Sequence, residues 1–560
     1  MAKRIEAALL SIDHLSLSIG GNRILTDLNL RIQTNEIVAL VGESGSGKSV
    51  TAQAVMGLLP KKQTQIDNGQ ITFNNQNLLG LTAAQWEQFR GNDLGMIFQE
   101  PQSSLNPSMR CGEQIEEVGK QHLDKGISKK ALKEKVLEAL ARVQLPRPER
   151  IYNAYPHQLS GGQKQRIMIA MALFCAPKLL IADEPTTALD VLVQKDIIEL
   201  IRSLQKEHQM SVLFISHDLS LVANLADRIA VMQPGKIVEY APTKQLFKHP
   251  QHPYTKGLLN ARPPKERRLK LLPTLADFTE QGFVPQLIAS AERKEKHKIL
   301  YQQSPLLQVK HLEKSYQNSS FGTQKKSPTI ALKEISFDLY PGETLGLVGA
   351  SGCGKSTLAK AIIFLDPATA GEVYWEGRLI DKNNRQQINQ LRKNIQFIFQ
   401  DPYAALHPLK TINVTLDEVL SVHTILDSKE RNKRSAELLT QVGLAPDFGV
   451  RYPHQLSGGQ RQRVVIARAL AVEPKLLLCD ESVAALDISV QAQVLNLLNQ
   501  LKEELGLSYL FVSHDLNVVK HMADRILIMH QGYIVEENEA DALYQNPQTQ
   551  FSKALLSAVL

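Results

Sequence analysis

Two eight-residue stretches contain the residue types that are needed to hold a phosphate. Residues 42–49 read Gly-Glu-Ser-Gly-Ser-Gly-Lys-Ser, and residues 349–356 read Gly-Ala-Ser-Gly-Cys-Gly-Lys-Ser. Glycines let backbone amides curl around an anion, and the start of a helix adds positive potential. The lysine can reach the outer phosphates, and the last serine offers a hydroxyl to Mg²⁺. The pattern predicts that each half of the chain binds a nucleoside triphosphate.

The stretches that precede these loops favour phosphate binding over a simple turn. Residues 37–41 and 344–348 are apolar runs typical of a buried parallel strand that leads into a helix. A glycine-rich turn is the alternative for the glycines alone, but the whole arrangement occurs twice. The predicted phosphate-loop residues are Gly42, Glu43, Ser44, Gly45, Ser46, Gly47, Lys48, Ser49, Gly349, Ala350, Ser351, Gly352, Cys353, Gly354, Lys355 and Ser356.

A pair of carboxylates follows another predicted strand in each half. Residues 179–182 lead into Asp183 and Glu184, and residues 476–479 lead into Asp480 and Glu481. An aspartate suits Mg²⁺ through water, because hard cations prefer oxygen ligands. The glutamate can polarise a water molecule as a general base. An isolated acidic pair would more often be a solvated strand end, but the phosphate loop favours the catalytic interpretation.

A third strand and a helical segment complete the predicted architecture of each half. Residues 212–215 and 509–512 form further apolar runs that end in polar residues, as in parallel sheets that bind ligands at their carboxyl edge. Residues 131–143 have apolar residues at helical spacing, which predicts a helical subdomain. The fold class expected is therefore α/β, with a parallel-sheet core and a helical subdomain in each half.

The two halves are an internal duplication. The matched pairs are Lys48 and Lys355, Gln99 and Gln400, Ser160 and Ser457, Glu184 and Glu481, and His217 and His514. This predicts one domain over residues 1–262 and a second over residues 305–560. Residues 263–304, rich in charge and containing prolines, are predicted to be a solvated linker with some helix.

Composition limits the classes of partner. The chain has 560 residues, 43% of them hydrophobic, and a formal net charge of +7. We interpret this small excess as a solvated surface, and no nucleic-acid partner is expected. The four cysteines are far apart, so neither a zinc site nor a disulfide framework is indicated. No run approaches the roughly 20 apolar residues of a membrane span, so any membrane role is expected to require partner proteins.

A Leu-Ser-Gly-Gly-Gln sequence at residues 159–163 and 456–460 completes a recognisable series. Each is predicted to open a helix with Ser160 or Ser457 as its N-cap. A phosphate loop before it, Asp-Glu after it and Ser-His-Asp beyond resemble the ATP-binding cassette (ABC) family, over nearly all of both halves. The resemblance implies two tandem P-loop NTPase domains that hydrolyse ATP with Mg²⁺ and pair head to tail within the chain. Each ATP would then lie between one half's phosphate loop and the other half's signature, the signature residues being Ser160, Gly161, Gly162, Gln163, Ser457, Gly458, Gly459 and Gln460.

Further roles follow from the same resemblance, position by position. His217 and His514 would hold the γ-phosphate, and Asp190 and Asp487 would signal across the pair of domains. The Mg²⁺ ligands would be Ser49, Gln99, Asp183, Ser356, Gln400 and Asp480. Tyr316 would lie under the adenine in the second half, whereas Ile19 occupies that place in the first. Both glutamates are present, so two hydrolytic sites are expected.

Sequences around these motifs resemble one branch of the family. Residues 252–259 read His-Pro-Tyr-Thr-Lys-Gly-Leu-Leu, similar to the C-terminal extension of oligopeptide, dipeptide and nickel importers. The resemblance implies an ATPase bound peripherally to the cytoplasmic face of a bacterial inner membrane. Its partners would be two permease subunits and, indirectly, a solute-binding protein. Some members hold an iron–sulfur cluster in this extension, but no cysteine follows Cys175 in the first half or Cys479 in the second, so none is expected here.

Two alternatives belong to other functional classes. A soluble twin-cassette translation factor that binds ribosomes usually has Ser-His-Asp-Arg after the final strand, whereas this chain has Ser-His-Asp-Leu twice. A twin-cassette DNA-repair ATPase would need cysteines at zinc-binding spacings, which are absent from this sequence. The transported solute stays open, since cassettes do not contact it. A last expectation concerns Cys353, whose thiol is predicted to be reactive because the empty loop is electropositive.

Overall fold

The structure is a computed structural model that describes residues 8–123, 126–187, 189–264, 267–279, 285–316, 328–484 and 486–558. The chain divides into two compact units between Leu259 and Asn260. Within the described residues, no helix is long and apolar enough to cross a membrane.

The first unit is built from ten strands in two sheets. The strands are β1 (Leu10–Ile19), β2 (Asn22–Ile32), β3 (Ile37–Val41), β4 (Thr64–Phe73), β5 (Gln76–Asn77), β6 (Leu94–Ile97), β7 (Leu179–Asp183), β8 (Ser211–Ser216), β9 (Arg228–Gln233) and β10 (Lys236–Pro242). The helices are α1 (Lys48–Val55), α2 (Ala83–Phe89), α3 (Pro101–Ser104), α4 (Cys111–His122), α5 (Lys129–Arg142), α6 (Pro148–Asn153), α7 (Gly161–Leu173), α8 (Val191–His208), α9 (Leu219–Ala223), α10 (Thr243–Lys248) and α11 (Pro253–Asn260).

The second unit repeats this arrangement. Its strands are β11 (Leu307–Tyr316), β12 (Thr329–Leu339), β13 (Thr344–Gly349), β14 (Ala370–Trp375), β15 (Arg378–Leu379), β16 (Ile395–Ile398), β17 (Leu476–Asp480), β18 (Ser508–Val512), β19 (Arg525–His530) and β20 (Tyr533–Glu539). Its helices are α12 (Ala276–Thr279), α13 (Ser290–Leu300), α14 (Lys355–Ile362), α15 (Arg385–Asn394), α16 (Pro402–Ala405), α17 (Ile412–His423), α18 (Ser428–Gln441), α19 (Gly458–Leu470), α20 (Ile488–Leu505), α21 (Leu516–Met522), α22 (Ala540–Gln545) and α23 (Gln550–Ser557).

The larger sheet of each unit carries the strands that the sequence predicts. Its order is β10-β9-β3-β8-β7-β6 in the first unit and β20-β19-β13-β18-β17-β16 in the second. The pairs from β9 to β6 are all parallel, and only β10 is antiparallel to its neighbour. Every residue of β3, β7 and β8 is buried, because helices cover both faces of a parallel sheet. The predicted parallel core is therefore confirmed in both units.

A second, antiparallel sheet in each unit was not predicted from the sequence. Its order is β2-β1-β4-β5 in the first unit and β12-β11-β14-β15 in the second. Apolar residues of β1 and β2 share one core cluster with α1 and with β3. This sheet therefore covers the helix that follows the phosphate loop. Its strands contain many polar residues and irregular register, which hides the period of two that identifies a strand in sequence.

The predicted helical subdomain lies between β6 and β7. Helix α5 covers the predicted stretch, and the side chain of Ser128 caps it by accepting the N–H of Ala131 at 3.2 Å. Leu132, Val136 and Leu140 are buried along one face at four-residue spacing. Helices α4, α5 and α6 pack together, and α17 and α18 form the equivalent pair in the second unit. The helical interruption of the sheet is confirmed.

The described part of residues 263–304 contains helices α12 and α13, and α13 contacts the rest of the second unit. Arg293 and His297 on this helix are buried. A nitrogen of Arg293 lies 2.8 Å from a carboxylate oxygen of Glu539, and Nε2 of His297 lies 3.2 Å from Oδ1 of Asp524. The predicted helix is present, but the prediction of a solvated linker is wrong for α13, because Arg293 and His297 pair with acidic residues elsewhere in the second unit. Sequence composition does not show such long-range pairs.

We predict that Arg293→Ala releases α13 from the rest of the second unit. Removing Arg293 takes an ion-pair partner from Glu539 and leaves Asp541 with Arg268 and Lys520. Because both carboxylates are about one-third exposed, we expect a cost of about 1.5–3 kcal/mol. Limited trypsin digestion of the full chain should cleave within residues 285–304 at least about tenfold faster. Lys294→Ala, which alters an exposed residue of the same helix, is the control. Equal cleavage rates for the two variants would contradict this prediction.

Candidate ATP sites

Each phosphate loop closes around its own lysine. Nζ of Lys48 donates hydrogen bonds to the carbonyl oxygens of Gly42 at 2.8 Å and Glu43 at 2.9 Å. In the second unit, Nζ of Lys355 lies 2.8 Å from the carbonyl of Gly349, and it also binds the carbonyl of Ala350. Both lysines are buried. Each ammonium group lies against carbonyls of a loop that leads into a helix N-terminus, which is where an anion binds.

The first glycine of each loop is required by close approach of the neighbouring strand. A Cβ on Gly42 would lie 2.1 Å from the carbonyl oxygen of Met232, and a Cβ on Gly349 would lie 2.2 Å from that of Met529. Only glycine allows the loop to run this close to the backbone of β9 or β19. Both loops therefore form the same narrow cradle, although their second and fifth residues differ.

The serine that follows each lysine faces a predicted Mg²⁺ ligand. Ser49 Oγ donates to Asp183 Oδ1 at 3.1 Å, and Ser356 Oγ donates to Asp480 Oδ1 at the same distance. Burial raises the pKa of both aspartates, since their carboxylates lose hydration. A serine hydroxyl next to a buried carboxylate supplies the oxygen ligands that a hard divalent cation prefers. The residues present at both sites therefore fit Mg²⁺.

Glu184 receives three hydrogen-bond contacts on one carboxylate oxygen. Its Oε2 lies 2.9 Å from Nε2 of Gln99, 3.0 Å from Oγ1 of Thr187 and 3.3 Å from Nδ1 of His217. Burial opposes ionisation of Glu184, but the hydrogen bond and charge of His217, together with Lys48, lower its pKa to about 2. The carboxylate is therefore ionised and fixed in orientation, as a group that polarises water requires.

Glu481 repeats this arrangement with one contact fewer. Its Oε2 lies 2.8 Å from Nε2 of Gln400 and 3.4 Å from Nδ1 of His514, while Ala484 replaces the threonine. Burial opposes ionisation, yet His514 lowers the pKa of Glu481; the same contact raises the pKa of His514 against its own burial. The two sites therefore share a glutamine, a glutamate and a histidine but differ in the hydroxyl.

Both glutamates have a backbone conformation that the sequence does not reveal. Glu184 has φ of 45° and Glu481 has φ of 49°, in the left-handed region that non-glycine residues rarely adopt. The backbone N–H of Glu184 donates to the carbonyl of Ile215 at 3.1 Å, and that of Glu481 donates to Val512 at 2.9 Å. The neighbouring strand thus fixes a strained residue, a feature typical of functional sites.

The signature segments begin helices, as the sequence predicts. Ser160 Oγ accepts the N–H of Gln163 at 3.3 Å, and the Gln163 side chain accepts the N–H of Ser160 at 3.1 Å. Ser457 and Gln460 form the same reciprocal cap. These caps order the first turns of α7 and α19. The predicted N-cap positions are confirmed, and two further helix starts are available to anions.

The remaining predicted site residues lie at equivalent places in the two units. Asp190 and Asp487 precede the long helices α8 and α20, and the Asp190 side chain caps its helix through the N–H of Val193 at 3.0 Å. Tyr316 ends β11 with 40% of its surface exposed, and Ile19 ends β1. An exposed ring at this strand end is therefore present in the second unit only.

Cys353 differs from the sequence-based expectation. Its side chain is only 6% exposed, and it packs beneath the loop, where a Cβ on Gly349 would lie 2.8 Å from its sulfur. Ser46 occupies the same place in the first unit and is also buried. The prediction of a reactive thiol is wrong, because the loop turns this side chain inward, where it is buried.

Thr187 contacts the predicted catalytic glutamate, and the sequence alone does not reveal this. The two halves read Pro-Thr-Thr-Ala and Ser-Val-Ala-Ala after their glutamates, and this difference was visible. The consequence of this difference becomes clear only in the structure, where the hydroxyl of Thr187 donates a hydrogen bond to the carboxylate of Glu184. Such a contact depends on the tight turn after β7, which residue spacing alone does not fix.

Two family models match parts of this chain. The ABC transporter family model matches residues 25–187 and 332–484. The model for the C-terminal region of oligopeptide/dipeptide transporters matches residues 238–280. A solved dimeric ATP-binding cassette, in a post-hydrolysis state with ADP and phosphate, is 33% identical with a TM-score of 0.38, and the match covers 42% of this chain and 98% of that one.

Full-length relatives share the twin-cassette organisation. The glutathione import ATP-binding protein of Pectobacterium atrosepticum is 43% identical over 551 residues, which cover 95% of this chain and 86% of the relative. The protein of the same name from Escherichia coli K12 is 44% identical over 541 residues, with the same two coverages. These relatives do not support the alternative of a ribosome-binding factor.

The fold and the paired sites define a twin-cassette ATPase. The chain belongs to the ABC transporter family, and within it to the branch whose members carry the peptide-transporter C-terminal region. The predicted family, ATPase activity and peptide-importer branch are confirmed.

We predict that Thr187→Ala slows ATP hydrolysis at the first site about three- to tenfold, because a hydrogen bond that orients a charged group is lost. The effect should be on kcat, with KM for ATP unchanged, since Thr187 holds Glu184 rather than the phosphate loop. The measurement is hydrolysis by full chains that also carry Glu481→Gln. Thr187→Ser should retain the parent rate. A Thr187→Ala rate equal to the parent rate would show that Glu184 does not need this hydroxyl.

Proposed function

We propose that this chain is the ATP-hydrolysing subunit of a bacterial importer for glutathione or a closely similar short peptide. The observation that carries the proposal is identity of 43–44% with glutathione import ATP-binding proteins over 95% of the chain. The matched C-terminal region supports the same peptide branch. The cassettes themselves do not bind the solute, so the identity of the solute depends on these relatives.

Two domains carry out the hydrolysis in this proposal. They comprise residues 1–262 and 305–560, each with its extension, and residues 263–304 connect them. The domains pair head to tail, so that Lys48 shares a nucleotide with residues 457–460 and Lys355 shares one with residues 160–163. Ser44, Gly45 and Gly47, with Ser351, Gly352 and Gly354, supply further loop contacts to phosphate. Tyr316 stacks on the adenine at the second loop.

Each domain's own residues prepare the attacking water. Glu184 and Glu481 accept the proton, and the observed contacts on Oε2 leave Oε1 to face the water. His217 and His514 hold the γ-phosphate in reach of the same carboxylates. Ser49, Gln99 and Asp183 would hold Mg²⁺ at one site, and Ser356, Gln400 and Asp480 would hold it at the other. When bound, Mg²⁺ neutralises charge on the β- and γ-phosphates.

Hydrolysis is coupled to transport through partner proteins. We propose two permease subunits in the inner membrane, with the chain bound peripherally on their cytoplasmic side and a solute-binding protein delivering the solute. The segments after Gln99 and Gln400 receive permease helices, because each directly follows a side chain that contacts the catalytic glutamate. Closure of the domains on ATP and reopening after hydrolysis would drive the permeases between states.

The catalytic assignment predicts a separation of binding from turnover. Glu184→Gln and Glu481→Gln should each retain ATP binding, since the phosphate loops are untouched. Each should lower turnover at its own site by about a hundredfold or more, because an amide cannot accept the proton. Nucleotide binding and steady-state ATPase of the assembled transporter are the measurements. Wild-type turnover in either variant would remove that glutamate from the mechanism.

The solute assignment is tested in liposomes that contain the chain, its permeases and its solute-binding protein. We expect glutathione to stimulate ATP hydrolysis and to accumulate inside, whereas an unrelated dipeptide at equal concentration should do neither. Stimulation by the dipeptide alone would contradict glutathione import but would keep the peptide branch. Failure of the permeases to bind the chain would contradict the importer assignment itself.

A further inference from the structure

We propose that Tyr254 positions the first phosphate loop and thereby couples the C-terminal extension of the first cassette to its ATP site. The second cassette lacks this link. The proposal rests on the proposed binding of ATP by residues 42–49. It assigns a positioning role to a residue outside the nucleotide-binding motifs, on a helix that follows the last strand of the sheet.

The link is a hydrogen bond between the extension and the second residue of the loop. The backbone N–H of Glu43 donates to Oη of Tyr254 at 3.2 Å. The carbonyl of the same residue accepts a hydrogen bond from Nζ of Lys48 at 2.9 Å. Tyr254 is only 6% exposed. The peptide groups of Glu43 are therefore held on one side by the extension and on the other by the lysine of the loop.

The extension that carries Tyr254 is itself firmly anchored. Glu239 in β10 accepts the backbone N–H groups of Gln251 and His252, each at 3.0 Å. Thr255, the next residue of the same helix, is fully buried. Strand β10 pairs with β9, which pairs with β3 before the loop. Tyr254 therefore contacts the loop from a helix that is anchored to the same sheet.

The second cassette provides a natural comparison. Glu536 in β20 accepts the N–H groups of Gln548 at 2.9 Å and Thr549 at 3.0 Å, so its extension is anchored in the same way. Phe551 occupies the place of Tyr254. Its ring stacks on His530, with ring centroids 3.9 Å apart. A phenyl ring has no hydroxyl, so the hydrogen bond to the loop cannot form there.

This difference predicts that the first loop is more fully ordered before nucleotide binds. An ordered loop binds phosphate without first losing conformational freedom, which strengthens affinity. Movement of the extension would also be transmitted directly to the first ATP site, through the hydrogen bond between Tyr254 and Glu43. The second site would respond to its own extension only through packing of Phe551.

The test uses full-length chains in which one loop is disabled. Lys355→Ala leaves the first loop as the binding site, and Lys48→Ala leaves the second. With Lys355→Ala, adding Tyr254→Phe should weaken binding of a fluorescent ATP analogue about three- to tenfold, the effect of one hydrogen bond. With Lys48→Ala, the same change should leave affinity unaltered. Hydrogen exchange of the peptide that contains Glu43 should become faster when Tyr254→Phe is added to the Lys355→Ala chain.

Tyr240→Phe is the matched control, because the Tyr240 hydroxyl donates to the carbonyl of Arg31 at 2.6 Å, elsewhere in the same unit. It should leave affinity at the first loop unaltered. Unchanged affinity in Tyr254→Phe would overturn the proposal, and equal weakening at both loops would show a general structural effect and overturn it as well. A parent chain with Lys355→Ala that binds no nucleotide would instead contradict ATP binding at residues 42–49.

Discussion

Parallel pairing of three buried strands is the constraint on which each ATP site depends. Strand β3 pairs with β8 so that Val41 lies opposite Ser216, and β8 pairs with β7 so that Ile215 lies opposite Asp183. The phosphate loop, the histidine and the acidic pair follow these strand ends. They must therefore meet at one edge of the sheet, since the carboxyl ends of parallel strands lie together. Strands β13, β18 and β17 repeat this register in the second unit.

Duplication preserved this edge and varied what supports it. The lysine, serine and glutamine have equivalent contacts in both units, and each glutamate contacts the glutamine and the histidine of its own unit. Thr187 and Tyr254 add hydroxyls around the first site, where the second has Ala484 and Phe551. The second unit alone ends its first strand in an exposed tyrosine. In our account, the first site holds a nucleotide more firmly at its phosphates and the second more firmly at its base.

The sequence predicted the parts of the fold that local patterns encode. The apolar run at Ile37–Val41 is strand β3 without any change of bounds, and Ser160 caps α7 as its position indicates. The antiparallel sheet escaped prediction because its irregular, polar strands lack a clear period. The docking of Arg293, the burial of Cys353 and the hydroxyl of Thr187 on Glu184 also escaped. Each depends on residues brought together by folding, which spacing along the chain does not report.

Each unit is expected to contribute one phosphate loop, so that the full chain binds two nucleotides. Equilibrium dialysis with radiolabelled ATP and Mg²⁺ tests this most directly, using the full chain with both Glu184→Gln and Glu481→Gln to prevent turnover. We expect two ATP molecules bound per chain, and one when either Lys48 or Lys355 is replaced by alanine. A single ATP per chain before either lysine is replaced, or loss of both when one lysine is replaced, would contradict it.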